Sequence, residues 1–295
     1  MIPPSELVLN SDGSIYHLNL LPEEIAHKVI FVGDPDRVPK VSKYFNLIST
    51  QKQKREFVIH TGKLDGQRIS VISTGIGSGN IDIVWNELDA LVNIDFQKRE
   101  PKSQHTQLKI LRIGTCGGLQ TDVPIGQMVL SAYGVGMDNL MAFYKNPQSE
   151  NLNNFERKLR DHFQKTFPPA PPSFFVGESP TGIRQLVAKD YPEIMQGITC
   201  SAAGFYGPQG RYLERMPLTW PNFPLGLTSF SHEGLRFLNM EMETSAIMAL
   251  GAMFGHEASS LSVILANRGQ REFASDPAQL EKDLIQKGLE IMLKW

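Results

Sequence analysis

Short apolar runs, separated by glycine-rich or polar stretches, set the rhythm of this chain. Lys28–Val32 (KVIFV), Arg68–Ser73 (RISVIS), Lys109–Ile113 (KILRI), Gln127–Ala132 (QMVLSA), Gly197–Ser201 and Leu261–Ala266 (LSVILA) stand out, most of them apolar over four or five consecutive positions. Uninterrupted runs of that length predict strands buried on both faces, not half-exposed ones. Helical periodicity lies between them. Ile81, Val84, Trp85, Leu88 and Val92 share one stripe, which predicts a helix over Ile81–Val92 with Asn80 as its cap. Helices are also predicted over Leu152–Phe167, Glu241–Phe254 and Asp276–Leu293, the last capped by Asp276 with Pro277 in its first turn. Strands alternating with helices predict an α/β fold, a mixed and mainly parallel sheet with helices on both faces.

Three stretches interrupt this alternation. Asn93–Gln107 is polar and charged and reads as a solvated excursion. Asn146–Pro180 holds the helix at Leu152–Phe167 and then PPAPP, a stiff extended segment. Glu214–Arg236 is rich in proline and aromatic residues, too apolar for a disordered linker, and suits a lid or a subunit contact. All three are expected to be insertions on one domain, although 295 residues would allow about two.

Composition excludes several classes. With 29 Lys+Arg against 31 Asp+Glu and a net charge of -2, there is no basic footprint for nucleic acid or an anionic membrane. Cys116 and Cys200 form no CxxC pair, and the seven histidines show no HExxH spacing, so a metal-free protein of a reducing cytoplasm is expected. No signal-peptide pattern opens the chain, and no stretch approaches the ~18 apolar residues of a membrane span.

Small and charged residues collect just after the apolar runs: Gly33-Asp34-Pro35-Asp36-Arg37, Thr74-Gly75-Ile76-Gly77-Ser78-Gly79, Gly114-Thr115-Cys116-Gly117-Gly118 and Asn267-Arg268. Ligands of open α/β sheets bind at the carboxyl ends of strands, so four such clusters predict one shared crevice. TGIGSGN is a near miss of the dinucleotide fingerprint, with Asn80 in place of the third glycine and no acid at the next strand end. It is an anion-binding helix start or simply a tight turn. Arg112, flanked by Leu111 and Ile113, must be paired or face a polar cavity. Its fork suits a carboxylate or a phosphate. Arg37 and Arg55, taken singly, read as site or surface arginines alike. Glu243 falls on the helical face of Ile247 and Leu250, and Glu241 on that of Ser245 and Met248. A carboxylate so placed suits sugar hydroxyls or a salt bridge. FYGPQGR brings an aromatic ring, an amide and a guanidinium within seven residues, a set able to stack on a planar base and bind its edge, or to form a plain turn.

Taken in order, GDPDRV, KREF, STGIGSGN, LRIGTCGG, GFYGPQGRY, NMEMETSA and LANR resemble the nucleoside phosphorylase-I family, over Ile30 to Arg268. The resemblance implies a single three-layer domain around a mixed, partly closed sheet, and active sites shared between paired subunits in a dimer or a hexamer. It implies phosphate on Gly33, Arg37, Arg112 and Thr115, with Arg55 lent by the neighbouring subunit. Ribose would lie on Met242 and Glu243, with His17 reaching it from the partner chain. Phe205, Gln209, Arg211 and Arg268 would hold the base, and Arg112, Thr115, Glu243 and Arg211 would carry the chemistry. The implied reaction is reversible phosphorolysis of a pyrimidine nucleoside such as uridine, with inorganic phosphate as co-substrate and no cofactor or metal. Purine-specific relatives carry an aspartate where this chain has Asn267, which favours a pyrimidine, and the two phosphate arginines favour phosphorolysis over hydrolysis. Cys116 in place of the usual hydroxyl residue, the GPQG loop and the long segment after Arg211 depart from the family pattern. A purine phosphorylase, a nucleoside hydrolase, a non-catalytic nucleoside-binding protein and a dinucleotide-dependent oxidoreductase are the alternatives.

Overall fold

The run Lys28–Val32 divides its side chains between two cores: Val29 and Phe31 pack into one, Ile30 and Val32 into the other. Alternation in space with no alternation in polarity means apolar layers on both faces. The computed structural model describes residues 1–145, 149–171 and 173–295. Its strands are β1 Lys28–Val32, β2 Leu47–Lys54, β3 Phe57–Leu64, β4 Gln67–Ser73, β5 Ile94–Asp95, β6 Glu100–Pro101 and β7 Lys109–Gly118. They continue with β8 Met128–Gly136, β9 Phe175–Glu178, β10 Met195–Ser201, β11 Ser231–His232, β12 Leu235–Glu241, β13 Glu257–Asn267 and β14 Glu272–Phe273. The helices are α1 Arg37–Ser42, α2 Ser78–Asn93, α3 Glu150–Thr166, α4 Thr181–Asp190, α5 Phe223–Leu227, α6 Thr244–Met253 and α7 Pro277–Lys294.

Twelve strands form one mixed sheet along the path β11-β12-β10-β8-β13-β7-β1-β4-β3-β2, with β14 added on β13 and β9 on β8. β12 also pairs with β7, Asn239 opposite Gly118 and Met240 opposite Gly117. That contact closes β12, β10, β8, β13 and β7 into a five-stranded barrel, the partly closed sheet expected above. One layer above the sheet is built from α2 and α6, where Trp85 is fully buried and donates from Nε1 to the Ile247 carbonyl at 3.1 Å. The opposite layer holds α1, α4 and α7. Gly288 lets α7 lie close on β7, because a Cβ there would stand 2.5 Å from Ile113 Cγ2.

The remaining differences have local causes. The helix expected over Glu241–Phe254 starts only at Thr244. Leu235–Glu241 stays extended as β12 because it closes the barrel, and Glu243 becomes the N-cap residue of α6. Asn80 does not cap α2. Gly77 does, at φ +89, a conformation that favours glycine. The capping role of Asp276 holds, its side chain accepting from Gln279 N at 3.0 Å. Asn93–Gln107 is no free excursion: β5 and β6 make a small hairpin whose Arg99 donates to the carbonyls of Ile2 (2.7 Å), Pro3 (3.0 Å) and Leu7, holding the N-terminal segment. Within 214–236, Phe223, Leu227 and Phe230 join Phe155 and Phe163 of α3 and Phe237 of β12 in a third core. Residues 146–148, and Pro172 of the expected PPAPP segment, lie outside the described residues.

Candidate active site

A cavity of about 960 Å³ opens where β1, β4, β7, β12 and β13 end, so the four strand-end clusters do converge. Of the residues singled out in the sequence, Gly33, Arg37, Arg112, Thr115, Met242 and Glu243 line it. So do Phe205, Gln209, Arg211 and Arg268.

Arg112 is one of the buried residues on its wall. It lies on the Ile110 side of β7, one step beyond the core, and folds back over Gly114, where a Cβ would stand 2.2 Å from Nη1. Any other residue at 114 would push the guanidinium out of place. Nη2 donates to Glu243 Oε2 at 2.6 Å and lies 3.2 Å from Glu241 Oε2, while Nη1 reaches Ser262 Oγ at 3.4 Å. Burial alone would lower its pKa, but the two carboxylates outweigh burial and hold it above its ordinary value, so Arg112 stays charged. The two glutamates differ in their surroundings. Glu241 also accepts from Ser201 Oγ and from the backbone nitrogens of Glu243 and Thr244, all at 2.6–3.1 Å. Glu243 has, besides Arg112, the Gly77 N–H at 2.8 Å. Burial pushes the Glu243 carboxyl up, aided by the Glu241 charge and opposed by Arg112. Neither glutamate lies on the helical face assigned to it from spacing, since β12 ends at Glu241 and α6 begins after Glu243.

A second arginine, Arg37, is nearly buried at the start of α1 and donates from Nε to Glu281 Oε1 at 2.5 Å. Also on the cavity wall, the Arg211 guanidinium lies 3.8 Å over the Phe205 ring. It also donates to the Phe205 carbonyl at 2.7 Å and to Gln209 Oε1. Arg268 donates to the carbonyls of Gln209 and of Gly210, the latter at 2.9 Å. Burial lowers the pKa of both arginines, and for Arg211 the neighbouring Arg268 charge adds to it. Among the described residues neither arginine has a carboxylate in ion-pair contact. This part of the cavity wall therefore carries positive charge that suits an electron-rich guest.

Asn267 lies outside the cavity. Its amide nitrogen donates to the carbonyls of Gln120 and Val123 at 2.8 Å each, and its oxygen accepts from Gly269 N and Gln270 N. It closes a turn and is fully buried. Burial pushes the Cys116 thiol up to about 12, so at neutral pH it lines the wall as a neutral thiol. His17 and Arg55 do not line the cavity. His17 Nδ1 lies 2.7 Å from Glu87 Oε1, and its ring packs edge-on against Phe57, two residues from the exposed Arg55.

Sequence reasoning missed Phe273, which lines the cavity although 66% exposed. Its one signal was a lone aromatic ring in the polar run RGQREFASD. A bulge at Leu265 brings both Leu265 and Ala266 into the wall, a shift of register invisible in the run LSVILAN.

Comparison with known proteins bears on the fold and the family. Residues 27–291 match the model of the phosphorylase superfamily. The chain is 26% identical over 284 residues to a uridine phosphorylase of Thermococcus kodakarensis, covering 96% of this chain and 88% of that protein. It is also 26% identical over 288 residues to a DeoD-type purine nucleoside phosphorylase of a Geobacillus strain, covering 94% and 98%. Among solved structures, a Trypanosoma brucei nucleoside phosphorylase described as showing uridine phosphorylase activity superposes with a TM-score of 0.88 at 29% identity, covering 98% of this chain and 100% of that one. By fold, by strand-end site and by a match over most of its length, the chain belongs to the phosphorylase superfamily.

Proposed function

We propose that this protein is a nucleoside phosphorylase acting on pyrimidine nucleosides, converting uridine and phosphate to uracil and ribose 1-phosphate. One observation carries the reading: a single cavity is lined by Arg37 and Arg112, which meet near Ile113, by Glu243 paired to Arg112, and by Arg211 and Arg268, which meet at Gln209. Phosphate would take Arg37 and Arg112, with Thr115 and Gly33 beside them. The ribose hydroxyls would donate to Glu243, with Met242 under the sugar. The base would stack on Phe205 and meet Gln209 and Arg211 along its edge, with Arg268 behind them.

In the reaction a phosphate oxygen forms a bond to the anomeric carbon as the carbon–nitrogen bond breaks, and the bonding pair leaves on the base. Holding an anion in line beneath the sugar converts a two-body encounter into a positioned displacement. The charge arriving on the base falls where Arg211 and Arg268 lack a carboxylate partner, and preorganised cations there stabilise the transition state more than the neutral substrate. Asn267 supports a pyrimidine over a purine in two ways. It is no acid, and all its hydrogen-bonding groups are committed to the loop. The 26% identical relatives include uridine and purine phosphorylases alike, so the base preference rests on these residues.

The same reading takes the whole chain as one catalytic domain that works as a homo-oligomer, His17 and Arg55 completing a neighbour's site. No helix among the described residues is long and apolar enough to cross a membrane. The deciding experiment is an ultraviolet assay of uridine, thymidine and inosine, each with and without phosphate. The reading expects uridine cleavage that requires phosphate, and activity on inosine alone would overturn it.

A further inference from the structure

We infer that Glu281, outside the cavity and on the C-terminal helix, is the positioning residue for the anion end of the site. The inference rests on the phosphate reading above. Arg37 offers five N–H groups in a planar fork, and anions are best gripped by two at once. Its Nε is committed to Glu281 Oε1 at 2.5 Å, and Nη1 has a long 3.5 Å contact to the Ile113 carbonyl. The rest of the fork is left for the cavity that Arg37 lines.

Glu281 is itself held. Its second oxygen accepts from Lys40 at 2.7 Å, so the carboxylate bridges two residues of α1. Its helix starts at the Asp276 cap and is seated on the sheet by the close approach of Gly288 to Ile113, one residue from Arg112. Both site arginines are thereby tied, through β7, to one rigid frame. Asp34, three residues before Arg37 and also on the cavity wall, is a competing carboxylate toward which an unclamped Arg37 can swing.

Charge and position make opposite forecasts here, which makes the inference testable. Glu281 is an anion beside an anion site. If it acted by charge alone, its neutralisation would tighten phosphate binding. If it acts by aiming Arg37, its removal weakens binding.

The test compares Glu281→Ala, Glu281→Gln and Lys40→Ala in steady-state kinetics, varying phosphate and nucleoside separately. Glu281→Ala is expected to raise KM for phosphate at least tenfold with the nucleoside KM within twofold of wild type. Glu281→Gln keeps an oxygen that accepts the Nε proton and is expected to recover part of the loss. Lys40→Ala, which leaves the Arg37 contact intact, should change KM for phosphate less than threefold. An unchanged or lower KM for phosphate in both Glu281 variants overturns the inference, as does a loss shared equally by both substrates. If Glu281→Ala does not fold, Glu281→Gln decides by the same split. If wild type cleaves nucleoside without phosphate, the functional reading falls separately. Calorimetric titration with inorganic phosphate then decides: weaker binding in the variants supports the positioning role, and equal or tighter binding ends it.

Discussion

Replacing Arg112 by alanine separates the structural from the chemical part of the site. Removal leaves Glu241 with three other donor groups, Ser201 Oγ and the backbone nitrogens of Glu243 and Thr244. It leaves Glu243 with the Gly77 N–H alone. The orphaned charge is therefore Glu243, and breaking a buried pair in this way costs about 3–5 kcal/mol. Protonation of Glu243, whose carboxyl burial already pushes up, limits that cost. For a chain of this size the loss corresponds to a fall in melting temperature on the order of 10 °C. Loss of a preorganised cation at the anion end should lower kcat/KM for phosphorolysis by about 10²–10³. Arg112→Ala/Glu243→Gln is the discriminating partner. Removing the stranded charge should return much of the stability and none of the activity. Calorimetry together with the phosphate-dependent ultraviolet assay reads both. A single variant with wild-type turnover, or a double variant no more stable than the single, would refute the reasoning.

Other consequences follow from the same contacts. At the base end, Arg211→Ala should raise KM for the nucleoside by ~10–100-fold, from ~1.5–3 kcal/mol for a charge-assisted contact, and Gln209→Ala by ~2–10-fold, from ~0.5–1.5 kcal/mol for a neutral one, while KM for phosphate stays within threefold. Asn267→Asp would set a carboxylate against the carbonyls of Gln120 and Val123. It should destabilise the fold by about 2–4 kcal/mol in denaturant titrations and confer no activity on inosine. The Glu281 carboxyl feels burial, which raises its pKa, but the hydrogen bonds from Arg37 and Lys40 outweigh it and hold it below its ordinary 4.5. Its contribution to stability is thus present above that value and lost as pH falls through the folded one. The stability gap between wild type and Glu281→Gln should be constant well above pH 4.5 and narrow as the pH falls below it.

The sequence made the two-sided strands legible because their burial leaves no polar positions, as at Lys28–Val32. It made Arg112 legible because a guanidinium between Leu111 and Ile113 has to be explained. The barrel closure was not legible residue by residue. Leu235–Glu241 runs straight into a helix with no glycine or proline between them, and its pairing with β10, β7 and β11 keeps it extended. Glu281 was invisible for a different reason: its partner lies 244 residues away, and on its own helix it looks like any solvated glutamate. The Asn93–Gln107 segment misled because polarity was read as solvation, whereas Arg99 spends its donors on backbone carbonyls of the first seven residues. Local pattern reports burial well, but it does not report which distant element supplies a polar partner.

The most direct test of the account is the fate of the sugar. Uridine incubated with the protein and inorganic phosphate, followed by phosphorus NMR, should show ribose 1-phosphate appearing in step with free uracil, and neither without phosphate. Uracil released together with free ribose, at a rate indifferent to phosphate, would contradict it.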